Sequence, residues 1–124
     1  MNPDGRGGAE ASVYYEWGGK NLDGTEGFAQ QRPGWYKPIK ELLKEHRVNV
    51  FFHGHDHFYA KQDKECMIYQ ETPQPSHMSF SGTGTATKYG YLEGEILPNS
   101  GHLRVAVTPE SFKVEYVRSY NPKN

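Results

Sequence analysis

The feature that most constrains this chain is a short apolar, β-branched run, Val48-Asn49-Val50-Phe51-Phe52, that passes directly into His53-Gly54-His55-Asp56-His57. Such a run reads as a buried strand. Immediately before it, Ile39, Leu42, Leu43 and His46 follow the i, i+3, i+4, i+7 spacing of one buried helical stripe, and Pro38 suits the first turn. Lys44, His46 and Arg47 lie where cations complement a helix C-terminus. A helix joined tightly to a buried strand makes an αβ unit. The histidines then fall at the C-terminal end of the strand, where open α/β sheets bind their ligands.

Farther on, Met67-Ile68-Tyr69-Gln70 predicts a second strand and Leu92 to Leu97 a third. Leu103, Val105 and Val107 alternate against Arg104 and Thr108, Thr108-Pro109-Glu110-Ser111 supplies a turn, and Phe112, Val114 and Tyr116 alternate against Lys113 and Glu115, which predicts a hairpin. Pro73, Pro75 and Gly82-Thr83-Gly84-Thr85 mark loops, and the last of these lacks the spacing and lysine of a phosphate loop. Residues 1–34 are dense in glycine, with Tyr14, Tyr15, Trp17 and Phe28 at no regular period. They predict a long structured loop or a segment that needs a partner, ahead of a compact αβ part at 35–124. The expected fold is a single domain over 1–124, α/β or α+β, with a small mixed sheet, one clear helix and a C-terminal antiparallel hairpin.

A chain of 124 residues has room for one such domain. Its hydrophobic content of 35% is low, but 14% aromatic residues argue against disorder and for a thin core faced with amphipathic rings. With 14 Lys plus Arg against 15 Asp plus Glu, net charge gives no basis for binding nucleic acid or an anionic membrane. Any phosphate recognition has to be local. Cys66 has no second cysteine to pair with. No apolar run approaches the roughly 20 residues that cross a bilayer, and Met1 to Gly8 lacks the layout of a secretion signal, so a cytoplasmic product is expected as written. The opening Asn2-Pro3-Asp4-Gly5-Arg6-Gly7-Gly8 reads as the middle of a loop and suggests truncation.

The chemistry concentrates at 53–57. Histidines at i and i+2 on one strand face stand about 6.6 Å apart along the axis, within reach of one ion or two adjacent ones but too far for all three to share one. Gly54, lacking Cβ, lets the backbone turn sharply there. The plain alternative is exposed imidazoles bonded to water or to nearby carbonyls. Glu16 reads as a solvated loop carboxylate, His46 as a helix-end cation, His102 as a surface residue at a strand start, and His77 as a loop residue after Pro75.

With its flanks, Val50-Phe51-Phe52-His53-Gly54-His55-Asp56-His57-Phe58-Tyr59 resembles the closing motif of the calcineurin-like metallophosphoesterases. Gly5-Arg6-Gly7-Gly8-Ala9-Glu10, Glu16-Trp17-Gly18-Gly19-Lys20-Asn21 and Arg32-Pro33-Gly34-Trp35 are similar to stretches of bacterial members, though less specific. The resemblance implies about half of that family's sandwich and a small phosphoester substrate. It also implies two divalent ions, Zn or Mn with Fe as a further option, about 3.5–4 Å apart and activating a hydroxide for attack at phosphorus. By position, His55 would serve the second metal and His57 the first, while His53 and Asp56 would orient ligands or meet substrate.

The family's upstream motifs are absent: no Asp-x-His, Gly-Asp or Gly-Asn-His precedes His55, and no histidine precedes His46. A divalent catalytic site needs three protein ligands and an open position. A homo-oligomer is therefore expected, in which two copies of His55 and His57 converge across a two-fold axis. The alternatives are a catalytically silent metal-binding fragment, or an interaction module of a split enzyme whose other chain supplies the missing ligands.

Overall fold

The computed structural model of the chain describes residues 5–76 and 83–119, so His77 and Gly82 lie outside the described residues. In chain order there are a 3-10 turn at Ala9–Val13 and three helices, α1 (Tyr15–Gly18), α2 (Phe28–Gln31) and α3 (Ile39–Glu45). Strands β1 (Val50–His53), β2 (Tyr59–Lys64) and β3 (Met67–Glu71) follow, then a 3-10 turn at Thr83–Thr85, β4 (Glu95–Leu97), β5 (Gly101–Val107) and β6 (Phe112–Arg118). The first four strands form one sheet in the order β1-β3-β2-β4, and β5 pairs with β6. β1 runs parallel to β3, while β2 is antiparallel to both β3 and β4. The fold is α+β, with the small mixed sheet and the C-terminal antiparallel hairpin that the sequence predicts. No helix among the described residues is long and apolar enough to cross a membrane.

Strand alternation sorts the sheet into two faces. Register pairs Phe51 with Tyr69 and His53 with Glu71, and places Ala60 beside Glu71 and Gln62 beside Tyr69. On this face Met67 and Tyr69 join Ala9 and Trp17 in a buried cluster, with Ile39, Leu43, Val48 and Phe51 packed against it. Trp17 meets Phe51 edge-on at 4.7 Å between ring centroids, a geometry aromatic pairs favour. A second cluster on the same side of β2 holds Phe58, Ala60, Ala86 and Tyr91. Over the opposite face lies the β5–β6 hairpin, where Tyr116 stacks on Tyr59 at 4.7 Å and donates to the Pro98 carbonyl at 2.6 Å.

Several expectations are corrected. In place of the expected long loop or segment in need of a partner, residues 5–34 carry a 3-10 turn and two short helices and find their support within the chain. Ala9 N–H donates to Gln62 Oε1 at 2.8 Å, and the Glu10 carboxylate accepts from Gln62 Nε2, Leu92 N–H and Glu93 N–H. Those partners are 52 to 83 residues distant, beyond the reach of local pattern. α3 buries only part of its predicted stripe: Ile39 and Leu43 pack on the core, but Leu42 is 41% exposed. A helix of 7 residues makes two turns, and one i, i+4 pair is all it lays against the sheet. The strand expected over Leu92 to Leu97 is β4 and begins only at Glu95, because Gly94 sits at φ +102, outside the extended region.

β2 has no counterpart in the sequence reading. Its Tyr59-Ala60-Lys61-Gln62-Asp63-Lys64 is polar, and the two-residue turn that follows, Glu65-Cys66, lacks the usual Asn-Gly signature. Both turn residues nonetheless take positive φ, 53° and 65°. A left-handed conformation costs a non-glycine residue roughly 1–2 kcal/mol. Cys66 is exposed. Cys66→Gly is therefore expected to raise stability by about 0.5–1 kcal/mol after its own entropic cost, seen as a higher denaturation midpoint at unchanged m-value. A lower midpoint would mean that the cysteine side chain contributes more than the strain removes.

Candidate functional site

The parallel pairing of β1 and β3 determines the geometry of the histidine segment. His53 and Glu71 end adjacent strands at one edge of the sheet, and β2 begins beside Glu71 at the same edge. Residues 54–58 must therefore arch over the end of β3 to get from β1 to β2, crossing two strand spacings of about 4.8 Å each. So tight a path forces left-handed backbone at His55 (φ 102) and His57 (φ 62). The sharp turning falls on these two histidines. An added Cβ at Gly54 would meet Thr72 Oγ1 at 3.1 Å, so this glycine gives room for a close approach.

The arch is anchored on both sides. The His53 carbonyl accepts from Thr72 N–H at 2.7 Å and from Thr72 Oγ1 at 3.0 Å. Asp56 N–H donates to Glu71 Oε1 at 3.0 Å. The His57 carbonyl accepts from the Asn99 side-chain amide, whose own oxygen accepts from Gln74 N–H at 2.8 Å. Asn99 is buried.

Asp56 turns inward. Its side chain is 1% exposed, and its carboxylate accepts from Arg6 Nη1 at 3.1 Å, Gly7 N–H at 2.9 Å and the Tyr91 hydroxyl at 2.9 Å. The Arg6 guanidinium also stacks over the Tyr89 ring at 4.3 Å. Burial, followed by the charges of Glu71 and Asp56, pushes the Tyr91 phenol far above its ordinary value. Tyr91 is thus a neutral donor held between two carboxylates, with its hydroxyl 3.4 Å from Glu71 Oε2.

His53 is held from the opposite side of the same network. Its Nδ1 lies 2.6 Å from Glu71 Oε2, its side chain is 9% exposed and that of Glu71 is 0% exposed. The ring stacks on Phe51 at 5.8 Å. His53 Nε2 is buried and has no hydrogen-bond partner among the described residues.

The strand alternation expected to put His53 and His55 on one face stops at His53, because the arch is not extended. His53 is tucked in, whereas His55 and His57 are exposed. Imidazoles suit Zn or Fe by donor type, whereas Mn favours oxygen donors. The number of ligands falls short, since no group of three or more His, Cys, Asp or Glu among the described residues is placed to hold a metal ion. Sequence reasoning missed Glu71, Tyr91 and Arg6. A signal for Glu71 was present: alternation from Met67 through Tyr69 puts its charge on the buried face, where an unpaired carboxylate is rare. Arg6 and Tyr91 stand 50 and 35 residues from Asp56, and no local pattern links them to it.

No family model, curated protein or solved structure matches this chain.

Proposed function

We propose that the chain is a metal-dependent hydrolase of small phosphoesters, with His55 and His57 as ligands and the ion shared between copies of the chain. The observation that carries this reading is the anchored arch. Hydrogen bonds to the arch and two positive φ angles fix the backbone that carries both exposed histidines at the C-terminal end of the β1–β3 pair. A backbone fixed before binding loses little freedom when its side chains take up an ion. A bound Zn or Mn would supply Lewis-acid polarisation of the phosphoryl oxygen and a hydroxide at neutral pH. The chain's own contribution is to hold the backbone of both ligands in place and, through Asp56 and Glu71, to keep the arch from collapsing.

One chain offers fewer than the three donors that a catalytic divalent site needs. The same shortfall favours a second reading, a catalytically silent metal-binding fragment or a module that awaits another chain. One experiment separates them: chelator-stripped protein is titrated with Zn and Mn while hydrolysis of a chromogenic phosphodiester and mass in solution are followed. The hydrolase reading expects activity that returns with metal, tracks an oligomer, and falls at least about 100-fold in His55→Ala and His57→Ala, as loss of a ligand should. Equal inactivity with and without metal rejects it in favour of the silent module, and variants as active as the parent reject it by showing that the hydrolysis does not depend on His55 and His57.

A further inference from the structure

We propose that Glu71 is a positioning residue for His53, accepting a hydrogen bond from Nδ1–H so that the lone pair of the ring is confined to Nε2. Three observations carry this. Glu71 is fully buried and sits directly across the parallel ladder from His53, with Oε2 at 2.6 Å from Nδ1. Its other oxygen is committed, because Oε1 accepts the Asp56 backbone N–H at 3.0 Å. The opposite ring nitrogen, Nε2, is buried and unpartnered among the described residues. An ionised carboxylate only accepts, so the nitrogen facing it must carry the proton. The neutral ring has one proton to place, and Nε2 is left as a basic nitrogen. Carboxylate partners of this kind set which imidazole nitrogen is free for proton transfer or for a ligand.

The geometry also dictates what a single-atom change does. In Glu71→Gln the amide oxygen must stay at the Oε1 position to accept from Asp56 N–H, which puts the NH2 group at the Oε2 position, against Nδ1. A donor there requires a lone pair on Nδ1. The proton then moves to Nε2, and the ring changes tautomer with hardly any change in shape. Tyr91 can still donate to Asp56 Oδ2, 2.9 Å away. A role for Glu71 in packing alone predicts no such reversal.

The test is long-range proton–nitrogen correlation NMR of histidine-labelled, metal-free protein at about pH 9, above the ordinary histidine range. Protonated and unprotonated ring nitrogens give separate shifts, and His53→Gln identifies the signals. The wild type is expected to show Nδ1 protonated and Nε2 bare, Glu71→Gln the reverse, and Tyr91→Phe the wild-type pattern. A wild-type ring protonated on Nε2, or a folded Glu71→Gln ring that keeps its proton on Nδ1, overturns the proposal. Should Glu71→Gln fail to fold, the wild-type and Tyr91→Phe spectra still decide it. Any use of Nε2 in hydrolysis rests on the function proposed above, but the tautomer is read without metal or substrate. Failure of one is therefore distinguishable from failure of the other.

Discussion

Asp56→Ala is expected to lower the stability of this protein by about 3–5 kcal/mol, the range seen when one member of a buried charged network is removed. The carboxylate accepts from the Gly7 N–H, the Tyr91 hydroxyl and Arg6 at once. Alanine removes the acceptor from two buried donors, and each buried donor left without one costs about 1–3 kcal/mol. The Arg6 contribution is the smaller share, because that side chain is 29% exposed and solvent screens it. Against a total stability of about 5–15 kcal/mol the loss is large, and for a chain of this size it corresponds to a drop in Tm of about 10–20 °C. Thermal denaturation beside Glu26→Ala, a surface carboxylate whose ion pair spans 3.9 Å, provides the measurement and its control. An Asp56→Ala protein as stable as the control would mean that the carboxylate does not anchor the arch.

The second large effect is expected at Gly94, which combines a positive φ with a lack of space. An added Cβ would collide with the Lys61 carbonyl oxygen and approach Gln62 Cγ at 2.8 Å, with the backbone at φ +102. Neither neighbour can give way freely: Lys61 is paired to Glu95 and Gln70 in the sheet, and the Gln62 amide donates to Glu10 and to the Glu93 carbonyl. Left-handed strain and overpacking together are expected to make Gly94→Ala cost about 3–5 kcal/mol. Gly34 separates the two causes, since it has φ +83 and nothing within 4 Å of an added Cβ. Gly34→Ala is expected to cost only about 1 kcal/mol, the conformational part alone. Denaturant midpoints for the two variants, compared at equal m-value, read the difference. Equal losses would show that crowding at Gly94 contributes nothing.

The two variants test different links in the chain of cause. Gly94 sits at the entry to β4, and its substitution disturbs the sheet from β2 outward. Asp56 sits in the arch itself, and its loss frees the segment that carries His55 and His57. If the arch serves a metal site, Asp56→Ala should weaken Zn uptake even under conditions where the protein remains folded.

What the sequence determined by itself is the part governed by short-range physics. Helical spacing located α3, the apolar run located β1, and alternation on either side of Thr108-Pro109-Glu110-Ser111 located the hairpin, where Thr108 N–H donates to the Ser111 carbonyl at 2.8 Å. It also put the histidine cluster at the end of a strand. What only the tertiary structure decided is which way each side chain of that cluster faces. β1 pairs with β3 in parallel, and that register brings Glu71 against His53. The crossing to β2 then imposes left-handed backbone on His55 and His57, while Arg6, Gly7 and Tyr91 converge on Asp56 from distant parts of the chain. Periodicity encodes the preferences of neighbours within a few residues. The burial of Asp56, Glu71 and His53 depends on contacts between segments whose closeness arises only when the sheet forms.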